Sequence, residues 1–154
     1  MVCPIVLKGP AGPQIYFNLG GSVGPSCPNV ADDVQLVQLG YYAMLRNPLS
    51  QPPDALRQAL AKIVPGAEYR GAPNDPLTLA IAAHEAFRGG PRDGHVSVAR
   101  GAENYDAGHK FIIVILNNCL NATMRHDFPR LDKHPLCPGA LRVSVLKMLL
   151  GGVG

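Results

Sequence analysis

Val30, Val34, Val37, Tyr41 and Met44 recur at steps of three and four, the spacing of one helical face, and predict a first helix over residues 30–45. Asn29 is placed to cap it, Asp32 and Asp33 put negative charge against the positive end of its dipole, and Pro48 stops it. Leu56, Leu60 and Ile63 make the stripe of a second helix over 53–64, opened by Pro53 and closed by Pro65-Gly66. Asp75 and Pro76 form a strong start signal for a third helix over 76–87, which Gly89-Gly90-Pro91 closes before an Asp93-Gly94 turn. The apolar run 111–116 is β-branched and would suit a strand on propensity alone. Residues 117–122 continue it without a breaker, so it is expected to be a buried helix from 110 to about 122–124. A last helix is predicted over 139–150, between Pro138 and Gly151-Gly152.

Residues 1–28 show no helical period. Gly and Pro interrupt them every few positions, leaving only 4–7 and 14–19 as short extended pieces. The alternation Ile15, Phe17, Leu19 predicts a half-buried strand or ribbon on a helical body. The expected fold is mainly α: a small helical bundle with an irregular or short-strand N-terminal segment and an added C-terminal helix. Its three main helices share one core in which Val34, Val37, Ile81 and Ile115 are buried. The 154 residues fit one domain, with a Gly/Pro-rich segment 1–28, a helical core 29–124 and a C-terminal extension 125–154.

Composition agrees with a folded chain, since hydrophobic residues are 47% and charged residues only 16%. The net charge of +3 is spread along the sequence, and the densest basic stretch, 125–133, is broken by Asp127 and Asp132. That excludes a phosphate-tracking surface, so no nucleic-acid partner is expected. The apolar runs 111–116 and 143–150 are too short to span a bilayer. The first residues lack a basic region ahead of a long apolar core, so cytoplasmic synthesis without a signal peptide is expected. Delivery to the periplasm or wall would then need an injection apparatus or lysis. Cys3, Cys27, Cys119 and Cys137 stand far apart, and reduced thiols are the expectation, with a disulfide left open.

Catalytic patterns are missing. There is no Gly-x-Ser-x-Gly elbow, no protease-type cysteine signature and no phosphate loop. A zinc site could draw only on His134 with Cys137, helped by His126 or Cys119, and no metal or other cofactor is expected. Of the glutamates Glu68, Glu85 and Glu103, Glu85 comes directly after His84 on a helix and reads as a solvated face residue rather than half of a hydrolase pair. Tyr42, Tyr69 and Tyr105 are the candidates for stacking on a sugar, in a chain without Trp.

Three segments together resemble the peptidoglycan-binding-like helical domain family, over about residues 23–120. They are Val23-Gly24 through Pro28-Asn29 with Asp32-Asp33-Val34-Gln35-Leu36-Val37-Gln38; Asp75-Pro76-Leu77-Thr78-Leu79-Ala80-Ile81 ending at Phe87; and Asp93-Gly94 with Ile113-Val114-Ile115-Leu116-Asn117. Residues 46–64 lengthen the first link, and His84-Glu85 stands where that family usually has an aromatic-Gln pair. The resemblance implies a non-catalytic module that recognises bacterial cell-wall glycan or peptide, without the enzyme it usually accompanies. Its polar contacts are expected from the turns ahead of helices, at Tyr69, Arg70, Asn74, Arg92 and His95. The alternative is a structural or adaptor subunit of a phage-like or secretion assembly. The last helix favours such contacts: Leu141, Val143, Val145, Leu146, Met148, Leu149 and Leu150 exceed one core stripe. Either a second copy or another subunit covers the excess, or the N-terminal segment folds over it.

Overall fold

The computed structural model describes residues 1–9, 12–100 and 111–151. It is mainly helical, with an N-terminal two-stranded hairpin and a C-terminal helix. In chain order come β1 (Cys3–Gly9), β2 (Gly12–Asn18), α1 (Ala31–Arg46), α2 (Asp54–Leu60), α3 (Pro76–Arg88), α4 (Ile112–Thr123), a 3-10 turn (Leu131–Lys133) and α5 (Gly139–Leu149). One contiguous apolar core draws Leu7 and Phe17 from the hairpin, Leu36 and Val37 from α1, Leu56 from α2, Ile81 from α3, Ile113 from α4 and Leu141 from α5. Among the described residues no helix is long and apolar enough to cross a membrane.

The strands pair antiparallel from Cys3 opposite Asn18 to Gly9 opposite Gly12. The N–H and C=O of Phe17 turn away from β1, since both are bonded to the Asn117 amide at 2.7 Å. By alternation, residues 13 and 15 of β2 and residues 4, 6 and 8 of β1 also direct their backbone groups outward. Pro4 and Pro13 therefore occupy positions where the ladder needs no N–H, and each blunts one outer edge. Phe17 and Leu19 are buried as the alternation predicts, but Ile15 is 46% exposed. Tyr16 is buried instead, its ring in edge-on contact with that of Phe128.

Helix α1 carries Val34, Val37, Tyr41 and Met44 inward, and Leu36, Leu39 and Ala43 are buried as well, so nearly its whole circumference is covered. At Gly40 it runs so close to α4 that an added Cβ would lie 2.7 Å from Leu116 Cβ. Its cap differs from expectation. Val30 occupies the cap position without a side-chain bond, while the Asn29 amide clamps the N–H and C=O of Gly24, both at 2.9 Å. Helix α2 is shorter than predicted, because Lys62 and Ile63 bond three residues back and tighten the chain into a turn, though Ile63 stays buried. At α3 the start is as predicted: the Asp75 carboxylate accepts from Leu77 N at 2.8 Å, and Gly89 ends the helix at φ 72°.

The run 111–116 is helical from Ile112, with Ile112, Ile113, Val114 and Leu116 buried against α1 and β2. Ile115 is only partly buried, because a helix covered on two sides still leaves one strip toward its edge. Residue 110, the expected start, lies outside the described residues. On α5, Leu141, Ser144 and Val145 are buried, while Val143 and Leu150 stay 52% and 68% exposed. Asp32 links the start of β1 to this helix, accepting from Val2 N at 2.8 Å and from the Ser144 hydroxyl at 2.5 Å. The N-terminal strand thus covers part of the α5 face.

Candidate binding cleft

Glu85 stands one turn before the end of α3 and is 3% exposed, so the sequence-based expectation of a solvated residue is corrected. Its two carboxylate oxygens accept from Asp93 N at 3.0 Å and Gly94 N at 2.9 Å, folding the chain after α3 back onto the helix. The Asp93 carboxylate in turn accepts from His95 N at 2.9 Å, the bond that shapes an Asx turn. Val96 then pairs with Val23 through bonds of 2.8 and 3.0 Å, and Asn18 clamps Ala99 by both its N–H and C=O at 2.9 Å. Gly24, at φ 149°, allows the closest contact here, since a Cβ would collide with the Gly94 carbonyl oxygen.

The fold-back leaves a cleft of about 150 Å³. Glu85 and Asp93 bring carboxylates to it, Arg88 a guanidinium, and His95 and Ser97 smaller polar groups, with Phe111 and Ile112 at the start of α4. Among the described residues helix α4 has no side-chain cap and no acidic residue in its first turn to offset its positive end. Burial raises the Glu85 pKa, the bond from Gly94 N opposes this, and the nearby Asp93 adds to the rise. Behind the cleft, the Tyr41 hydroxyl and His84 Nδ1 lie 3.1 Å apart, both residues buried. Burial, with Arg88 adding to it, pushes the imidazole down to about 4, while burial pushes the Tyr41 phenol up, so this pair is neutral at pH 7.

The expected ligand residues divide into two groups. Arg92 is exposed in the fold-back and His95 lines the cleft. Tyr69, Arg70 and Asn74 precede α3 and do not line it. Tyr69 is only 7% exposed and its hydroxyl is engaged with Thr78 Oγ1 at 2.8 Å, so its ring offers no open stacking face. Arg70 is exposed and bonded to Glu68 Oε1 at 2.7 Å, and Asn74 is exposed. Tyr42 has the Arg46 guanidinium 3.4 Å over its ring. Tyr105 and Glu103 lie outside the described residues. Sequence reasoning missed Arg88, Ser97 and the role of Glu85; the available signal was a glutamate eight residues ahead of an Asp-Gly turn.

Groups for covalent chemistry are not assembled here. Among the described residues no serine or cysteine is hydrogen-bonded to a histidine, and burial raises the pKa of all four free thiols. The residues weighed for zinc are apart in function: His126 is exposed, His134 Nδ1 accepts from Leu136 N at 3.2 Å, and the Cys137 thiol faces Pro138 O. Among the described residues no three His, Cys, Asp or Glu side chains are grouped to hold a metal. No buried side-chain nitrogen or oxygen among them lacks a partner. No family model, no curated protein and no solved structure matches the chain.

Proposed function

We propose that this protein is a non-catalytic binding module of the peptidoglycan-binding type, and that the cleft after α3 takes a bacterial wall peptide by its charged end. The observation that carries this reading is the presence of both signs of charge in the lining of one small cleft. The Asp93 carboxylate suits an ammonium group, with the buried Glu85 carboxylate adding negative charge behind it, while the Arg88 guanidinium and the first turn of α4, which holds no acidic residue, suit a carboxylate. A peptide end or an amino-acid branch carries both groups; an uncharged sugar carries neither. The chosen ligand is therefore the peptide rather than the glycan. The order of α1, α3, the Asp93-Gly94 turn and α4 supports the same reading.

Co-sedimentation with purified sacculi tests it. Wild-type protein should pellet with the wall, and Arg88→Ala should weaken binding about tenfold or more, the effect of one charge-assisted contact. Protein that stays in the supernatant at every wall concentration refutes the proposal.

A second reading, an adaptor subunit in a phage-like or secretion assembly, is supported by the exposed apolar residues Leu136, Val143 and Leu150 around α5. A solution mass of several chains, with no affinity for sacculi, favours that reading instead.

A further inference from the structure

The outer edge of β2 carries both an N–H and a C=O that point away from β1 at Phe17 and at Ile15. At Phe17 the rung is closed by the Asn117 side chain, which offers one acceptor and one donor as a neighbouring strand would. One helical turn further along α4 stands Asn121, and between it and Ile15 is an open groove of about 330 Å³. The Ile15 N–H and C=O have no partner on that side among the described residues. The Asn121 side chain makes no hydrogen bond within the described chain and is partly exposed. The floor is Tyr16 with Phe128 and Pro129, and no side chain lining the groove is charged. The Tyr16 and Phe17 rings meet the Phe128 ring edge-on, at centroid distances of 5.8 and 5.7 Å, so the floor is packed in place.

We infer that this groove binds one short, extended, uncharged peptide segment of a partner protein, paired with the open Ile15 rung and held on its other side by the Asn121 amide. The backbone supplies the match. Successive residues of an extended strand turn their N–H and C=O to alternate sides, so one peptide residue can pair with both groups of Ile15 while the next turns its own toward the Asn121 amide. The uncharged lining sets the sign of selection, because a charged side chain would lose its hydration here and find no counter-charge. Length is limited at both ends: Asn117 blocks the rung at Phe17, and Pro13 offers a carbonyl but no N–H at the next outward position. This contact is separate from the cleft after α3 and does not depend on its ligand.

The probe is the blocked peptide acetyl-Thr-Val-Thr-Val-Thr-amide, titrated into ¹⁵N-labelled protein, beside the same peptide N-methylated at alternate amides. The parent peptide should shift the Ile15 backbone amide and the Asn121 side-chain amide, and N-methylation should weaken binding at least about fivefold, the effect of one lost hydrogen bond. Asn121→Leu should weaken it by a similar factor. Ile15→Pro removes the outward N–H at a position that, like those of Pro4 and Pro13, contributes no donor to the ladder, and should do the same. If that variant does not fold, Asn121→Leu carries the test alone, since the Asn121 amide holds nothing in the described chain. No shift up to the solubility of the probe, equal binding of the methylated peptide, or unchanged binding by Asn121→Leu each overturns the inference.

Discussion

Replacing Asn117 with leucine should destabilise the protein by about 2–6 kcal/mol. Asn117 is fully buried on α4 and makes three bonds: it accepts from Phe17 N at 2.7 Å and donates to Phe17 O at 2.7 Å and to Ile113 O at 2.8 Å. Leucine keeps the approximate volume and removes all three. The Ile113 carbonyl keeps its place in the helix, but the two Phe17 backbone groups become orphans in a site closed to water. Each such group costs about 1–3 kcal/mol, against a total stability of about 5–15 kcal/mol. With an m-value of about 2 kcal/mol/M, the urea midpoint should fall by about 1–3 M while m itself stays constant. A fall of less than about 0.3 M would refute the view that this amide anchors β2. Asn117→Asp sharpens the test. The new carboxyl can still accept from Phe17 N, but its charged form would face two carbonyl oxygens, so its folded pKa rises above the unfolded value of about 3.9. The unfolded chain then loses the proton first. Relative to wild type, the variant should keep its stability below about pH 3.9 and lose about 1.4 kcal/mol per pH unit above it, until the folded pKa is reached.

His84 should give the opposite slope. Its imidazole is held near 4 in the folded state and titrates near 6.5 in an unfolded chain, so the stability it contributes is complete above about pH 6.5 and falls by about 3 kcal/mol on going down to pH 4. His84→Gln, which can still hydrogen-bond to the Tyr41 hydroxyl, should flatten that window in urea titrations; an unchanged slope assigns it to another group. At the α1–α4 crossing, Gly40→Ala gains about 1 kcal/mol in helix propensity and loses more by pressing on Leu116, for a net loss of about 1–2 kcal/mol and a Tm lower by about 2–8 °C. A Tm equal to or above wild type would show that the two helices separate without penalty.

The helices are legible in the sequence because local signals and burial agree there. Asp75 and Pro76 start α3 at the residue where they stand, and the stripe of α1 is buried from Val34 to Met44, while Val30 at the cap is 44% exposed. The β-branched run of α4 is decided by residues 117–122, since a strand would have needed a breaker before Asn117. The cleft is only partly legible. His95 and Arg92 lie in the fold-back, but beyond the Asp-Gly turn eight residues on, little in the sequence marks Glu85 as buried, because its partners are backbone N–H groups, which leave no trace in a pattern of side chains. Asn29 departs from its expected capping role for the same reason: its amide finds the Gly24 backbone rather than the helix start. Tyr69 is withdrawn from solvent by its hydroxyl bond to Thr78, nine residues away, a pairing that spacing alone does not reveal.

The clamp of Asn117 on Phe17 joins residues 100 positions apart, and that separation sets a waiting time during synthesis. A hairpin closes in about 1–10 μs, whereas a ribosome adding about 5–20 residues per second needs about 5–20 s to advance from Phe17 to Asn117. Throughout that interval the nascent β2 has no partner for its outer edge, and the side chains of Tyr16 and Phe17 have no helix to pack on. Two neighbouring ribosomes on one message would present such edges to each other. Pro4 on one edge and Pro13 on the other shorten the run of outward N–H groups to two on each strand, so the waiting hairpin offers another chain only a short ladder.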